Sequence, residues 1–533
     1  MKIHSRVANL FVAGAVAVAM NVMPAAVSPA RAAELVDDKL YMVIAGRQEV
    51  SHLDPAQKYD LAIRMMMQAL YDGLVKYEGN PAEVKPWLAD SWETSEDGLT
   101  WTFNLNPDAK FHDGSPVNAD AVVYSFQRTM EINEGPAWML EGFLTPDNVK
   151  AVDATTVEFK LEKPYSAFLS FLPWWYVVNP AVVEANKGDD FGKSYLLENA
   201  AGSGPYILDR FEAGSSYVLK RNDDYWKGFT YDNDRMGGVI YRLVRESSAQ
   251  RAALIKGEAD LVTGLGVEER QALADNGDVS VSTIPSLTSF GLKMNTQQGI
   301  TADVNIRKAL AYAYNYDSFL QILNGEGKLQ TSPFTDAIQG YVPIADMPRR
   351  DIAKAKEYLA KTEYPDGGFE VEFVYVEGFE LQRQMALSMI DAFRDINVEV
   401  KLTPLTWPNM VARGSSPDTS PNIMAIFTTP VSTDPDAVAI QYHPASNGKY
   451  YGSHFLEDAE LIEMIETARA ETDWEKRAPI YAEIQQKIVD LQPEIFGMMR
   501  NRGTVHRTWV KGYADSPIRM EGEIDFYSTY LEP

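Results

Sequence analysis

Polar and apolar residues alternate over Thr100–Leu105, the two-residue period of a strand with one buried face. Just ahead, Glu96-Asp97-Gly98 is a turn, because Gly reaches positive φ freely and Asp bonds its own backbone. The spacing predicts a hairpin over 91–105. A second turn at His112-Asp113-Gly114-Ser115-Pro116 precedes a helix capped by Asn118, with Asp120 in its first turn and Val122, Phe126 and Met130 on one face. Further strands are expected at 40–45, 155–161, 206–208, 371–376 and 398–402. Ile306, Ala309, Leu310 and Ala313 keep helical spacing behind Asp303 as cap, with Arg307 expected in a structural ion pair. A helix over 381–394 lies between two of the strands, and strand–helix–strand with short links favours a parallel pair. Over 456–491 the pattern is helical. Thr472 with Glu475 fits a capping box. Pro479 would cost that helix a hydrogen bond, so the start is expected later than the box.

The N-terminus changes the picture of location. Lys2 and Arg6 precede an apolar run over 10–20, too short to span a bilayer comfortably, and Ala30-Arg31-Ala32 fits a cleavage site before Ala33. There is no Cys, so neither a disulfide nor a lipid-modified Cys anchor is available. An exported, periplasmic protein is expected, not one embedded in a membrane. The formal charge of −26 becomes −29 once the three basic residues among the first 32 are removed, a field that opposes nucleic acid and anionic lipid.

Candidate chemistry is sparse. His52, His112, His443, His454 and His506 form no close ligand pair, so no metal site or cofactor is expected. Ser203 in Gly202-Ser203-Gly204-Pro205-Tyr206 has neither a phosphate-loop spacing nor a matching His, and reads as part of a tight turn. No carboxylate pair is singled out for acid–base work. The aromatic run over 168–180, with Trp174, Trp175 and Tyr176, reads either as core or as a pocket wall.

The segment LADSWETSEDGLTWTFNLNPDAKFHDGSPVNADAVVYSF (88–126) resembles the signature of solute-binding family 5 of ABC transporters, the oligopeptide/dipeptide/nickel-binding class. GSGPYIL, VLKRNDDYWKG, RAALIKGEADL and NIRKALAYAYN follow in the family's order, and the resemblance spans about residues 38–515. It implies an α/β fold: a two-lobed periplasmic binding protein of Venus-flytrap type, with an additional small lobe, mixed sheets flanked by helices, and a cleft between lobes. The implied division is a signal peptide over 1–32, a first lobe over 33–78, 196–292 and 501–533, a middle lobe over 79–195, and a closing lobe over 293–500.

The implied function is capture of a small solute, a short peptide or a peptide-like, opine-like or sugar-containing compound, for delivery to an ABC permease by a monomer without catalysis. The competing functions are a secreted hydrolase of peptides or glycans and a sensing protein linked to a chemoreceptor. By position in the family pattern, Lys58, Tyr59 and Asp60, then Trp407, then Thr428, Thr429, Val431 and Asp434, then Arg500, face the solute. Peptide-binding relatives carry an amine-pairing Asp where counting back from Asp434-Pro435 gives Val431, so Asp434 or Asp436 would have to substitute, or the clamp is absent. Arg413 and Arg500 are the candidates for an anionic group, against a solvated position and an internal ion pair respectively. Tyr450 and Tyr451 could stack on a ligand or stand exposed in their loop.

Overall fold

The computed structural model describes residues 34–532 apart from 37, 59–60, 233–234 and 520–522. The signal-peptide reading and Tyr59 with Asp60 therefore lie outside the described residues.

The hairpin forms as its alternation requires. Ala89–Thr94 pairs antiparallel with Thr100–Leu105, which pairs with Thr156–Lys160 and through it with Val149–Ala151 in a four-stranded sheet. Trp101, Phe103 and Leu105 point inward, each worth about 1.5–3 kcal/mol of burial. The helix Ala119–Ile132 covers this face; Asn118 accepts from the Ala121 amide at 3.0 Å, and Asn133 ends the helix at φ 53°. The core beneath it gathers side chains from Leu74 to Val177, including Trp174 and Trp175. Val178, Val183 and Leu196 pack instead with the Leu40–Ile44 strand. Trp174 and Trp175 thus serve as core, and stacking of Trp175 on Phe126 at 4.7 Å fixes the helix against it.

A twelve-stranded mixed sheet runs through the rest of the molecule. At one end Phe369–Val376 lies parallel to Val398–Leu405, as the strand–helix–strand spacing predicts, and also parallel to Ile423–Thr428. At the other, Lys39–Gly46 lies parallel to Met236–Leu243 and Leu261–Val262. Two long antiparallel strands, Val279–Met294 and Glu494–Arg507, join the halves. Their register breaks midway: Pro285 faces Asn501 and Ser289 faces Met499, so Ser286, Leu287 and Thr288 stand against Arg500 alone. Such an insertion bends and twists the ribbon locally.

Three expectations need correction. The last long helix, Trp474–Leu491, starts before Pro479, with Asp473 instead of Thr472 as cap, accepting from the Glu475 amide at 3.0 Å. Burial of Tyr481, Ile484 and Ile488 outweighs the one hydrogen bond that Pro479 removes. Arg307 makes no ion pair among the described contacts; it donates to the carbonyls of Thr301, Ala302, Leu491 and Gln492 at 2.7–2.9 Å. The free carbonyls at a helix C-terminus are partly negative and suit a guanidinium, although burial lowers its pKa to about 10. The glycines around Ser203 serve close packing more than a turn: a Cβ on Gly202 would lie 1.8 Å from the Leu70 carbonyl oxygen.

Candidate functional site

Residues just past the C-terminal ends of the parallel strands converge on one cleft, where the crevice of an open α/β sheet lies. From one half come Phe379, Trp407 and Thr429, which follow Phe369–Val376, Val398–Leu405 and Ile423–Thr428. From the other come Arg47, Gln48, Thr263 and Gly264, beyond Lys39–Gly46 and Leu261–Val262. The register break of the long strands adds Ser286, Thr288 and Arg500 between them.

The cleft consists of four adjoining cavities of about 320, 260, 430 and 250 Å³. Phe379 borders the first three, Arg500 the first two, Thr429 the last three, and Tyr450 the last two. Phe379 packs on Phe427 and Trp407 on Tyr450, each with ring centroids 5.4 Å apart. Trp407 remains 45% exposed, an aromatic face turned to the open side. The Thr288 and Thr429 hydroxyls meet at 3.1 Å, and the Ser286 hydroxyl donates to the Arg500 carbonyl at 2.6 Å. These polar groups sit between aromatic walls, the usual composition of a small-molecule cleft.

The sequence candidates divide. Trp407, Thr428, Thr429, Val431, Tyr450 and Arg500 line the cleft. Asp434 does not: its carboxylate is buried and takes both ends of the Arg477 guanidinium at 2.7 Å. Asp436 is likewise buried, bonded by the Tyr165 hydroxyl at 3.0 Å and paired with Arg469 at 3.1 Å. Burial raises the Asp436 pKa, against the opposing charge of Arg469. Neither acid substitutes for a clamp in the cleft. Arg413 is also corrected: it grips Glu372 at 2.8 Å and donates to the Thr419 carbonyl, outside the four cavities. That contact holds the Glu372 carboxyl below its usual range. The Val431 carbonyl accepts from the Trp174 indole at 2.6 Å, which ties the loop to the small-sheet core.

Phe379, Gln382 and Thr288 line the cleft without having been singled out from sequence. For Phe379 a signal existed: Glu377-Gly378 is a turn directly after a parallel strand, with Gly378 at φ 77°, and strand C-terminal ends face the crevice.

The family model described as bacterial extracellular solute-binding proteins, family 5 Middle, matches residues 83–450. The chain belongs to this family. It is 29% identical over 486 residues to the probable D,D-dipeptide-binding periplasmic protein DdpA of Escherichia coli (strain K12), covering 90% of this chain and 92% of that one. It is 26% identical over 477 residues to the dipeptide-binding protein of the same organism, covering 84% and 87%. Among solved structures it is similar to the ABC transporter substrate-binding protein CtaP of Listeria monocytogenes, with a TM-score of 0.81 at 23% identity over 92% of this chain and 99% of that one. As a family 5 solute-binding protein, it is the solute-capturing component of an ABC importer. The relatives are binding proteins, and no helix among the described residues is long and apolar enough to cross a membrane.

Proposed function

We propose that this family 5 protein works in the periplasm, as a monomer whose first 32 residues are removed. It captures a short peptide or a peptide-like, opine-like or sugar-containing solute and hands it to a membrane permease without turning it over. The supporting observation is the continuous cleft between two sets of parallel strand ends, with aromatic walls, hydroxyls and Arg500 converging on it. On this reading 33–78, 196–292 and 501–533 form one lobe, 293–500 the closing lobe, and 79–195 the added one. The register break at 286–288 is where the lobes bend. Closure needs no catalysis: a solute bridging both lobes binds the closed state better and shifts the population. Trp407, Thr428, Thr429, Val431, Tyr450 and Arg500 contact the solute. The names of DdpA and of the dipeptide-binding protein support a ligand of peptide size.

The test is mass spectrometry of small molecules released from the purified protein, followed by thermal unfolding with each candidate. A true solute at a hundredfold excess over Kd stabilises by about 2.7 kcal/mol. If no compound from a broad panel of peptides, opines and sugar derivatives raises the melting temperature, the reading fails.

A further inference from the structure

The charge of the cleft differs from that of the chain around it. Acidic side chains outnumber basic ones by 75 to 49 overall. Among the described residues bordering the four cavities, Arg47, Arg500, Arg502 and Arg519 stand against one carboxylate, Glu326. Glu326 is already paired with Arg270. Arg502 and Arg519 are themselves paired with Asp515 and Asp525 at 2.6 and 3.1 Å, and with these pairs and that of Arg270 with Glu326 counted, five guanidinium groups stand against three carboxylates. A low-dielectric crevice with guanidinium groups along one side concentrates anions even inside an acidic protein.

The other end of the cleft is different again. The cavity of about 250 Å³ lies between Trp138 and Phe171 of the small-sheet side and Val431, Ala437 and Ile440 of the opposite wall, and no charged side chain borders it. Its polar groups are the Thr428 and Thr429 hydroxyls, Gln441 and two tyrosines. Gln441 spends its amide donor on the Ala437 carbonyl at 3.0 Å. The nearby acids Asp434 and Asp436 are turned away into their arginine pairs. An ammonium group entering this cavity would lose its hydration with no carboxylate to meet it, a costly transfer. An apolar group there would instead gain by burial.

From Thr429, which borders this cavity, to Arg500 the separation is two strand spacings, because Ile423–Thr428 and Glu494–Arg507 flank Val279–Met294. That is about 10 Å, the span of a dipeptide-sized solute. Resting on the reading that this cleft is the solute site, we infer that the solute is an amphipathic anion without a free ammonium group. Its carboxylate meets Arg500, and its uncharged apolar end fills the cavity beside Val431. The chemical class is an N-acylated amino acid or an amine-blocked short peptide, and Val431 is the residue that sets this preference.

Titration calorimetry on the mature protein with three probes tests this. They are N-acetyl-phenylalanyl-alanine, the free-amine phenylalanyl-alanine, and the N-acetylated dipeptide with its carboxylate converted to an amide. The acetylated acid is expected to bind at least tenfold tighter than either other probe. Val431→Asp is expected to move the ratio of free-amine to acetylated affinity at least tenfold toward the free amine. Arg500→Gln, at the opposite end, is expected to weaken the acetylated acid at least tenfold while leaving the amide probe unchanged; it tests the proposal should Val431→Asp fail to fold. Free-amine binding equal to or tighter than acetylated binding overturns the inference while leaving solute capture intact. So does an unchanged ratio in a folded Val431→Asp protein. If none of the three binds but other panel compounds do, hits bearing ammonium groups overturn it and amine-free anions support it. If nothing in the panel binds at all, the proposed function and this inference fall together.

Discussion

One segment leaves the strand Ile423–Thr428 and splits into two halves with opposite fates. Thr428 to Val431 borders the cleft, with hydroxyl and methyl groups facing space. Ser432 to Asp436 turns inward, where Asp434 and Asp436 are buried against Arg477 and Arg469. All the charge of the segment lies in the half that does not meet the cleft. The buried pairs fasten the loop to the helices Ala459–Ala470 and Trp474–Leu491, and the neutral half is held in place by that anchor and by the Trp174 bond to Val431. A carboxylate close to a cleft in sequence can therefore be a fastener and not a ligand contact.

The widest break in this contrast comes from Arg477→Ala. It leaves Asp434 buried without its partner and is expected to cost about 3–5 kcal/mol of stability, measured by urea unfolding. Solute affinity of the folded fraction should stay within a few-fold; a large loss of affinity without loss of stability would return Asp434 to the cleft.

Asp260 sharpens the contrast from the other side, as a buried carboxylate held mainly by neutral donors. It accepts from the Val43 amide at 2.7 Å and the Trp509 indole at 2.6 Å. Burial pushes its pKa up to about 6, the charge of nearby Arg507 only partly opposing. The folded state then binds more protons than the unfolded state between about pH 4 and 6, so this group's stability is present at low pH and lost as pH rises. The loss should reach about 3 kcal/mol. It is read as the pH-dependent difference between wild type and Asp260→Asn, and a flat difference over that window would refute it.

Arg500→Gln should act on the cleft, with an expected loss of about 1.5–3 kcal/mol in binding of an anionic solute, read by titration calorimetry. Arg413→Ala should do least. Its pair with Glu372 is partly exposed, so less than about 1 kcal/mol of stability is at stake, and calorimetry should give an unaltered Kd.

Much of the framework was legible from local pattern. The hairpin at 89–105, the Asn118 and Asp303 caps, and the parallel pair around the helix Glu380–Arg394 follow from periodicity and capping that neighbours within a few residues decide. Half of the cleft was legible too, through Trp407, Thr428, Thr429 and Arg500. Thr288 was not, because it lies on a strand whose buried and open faces depend on its partners across the sheet.

Period and capping were enough to predict strands and helices, and the resemblance of the ordered motifs to family 5 implied an α/β solute-binding protein and put the selectivity question at Val431. Those are properties of short windows of chain and of their order. Which charges face the cleft was decided only by the folded molecule. Asp434 finds Arg477 43 residues away, and Arg413 finds Glu372 41 residues away. A charged side chain's role depends on the partner that folding brings to it, and that partner is set by the packing of separate elements, which no local window contains.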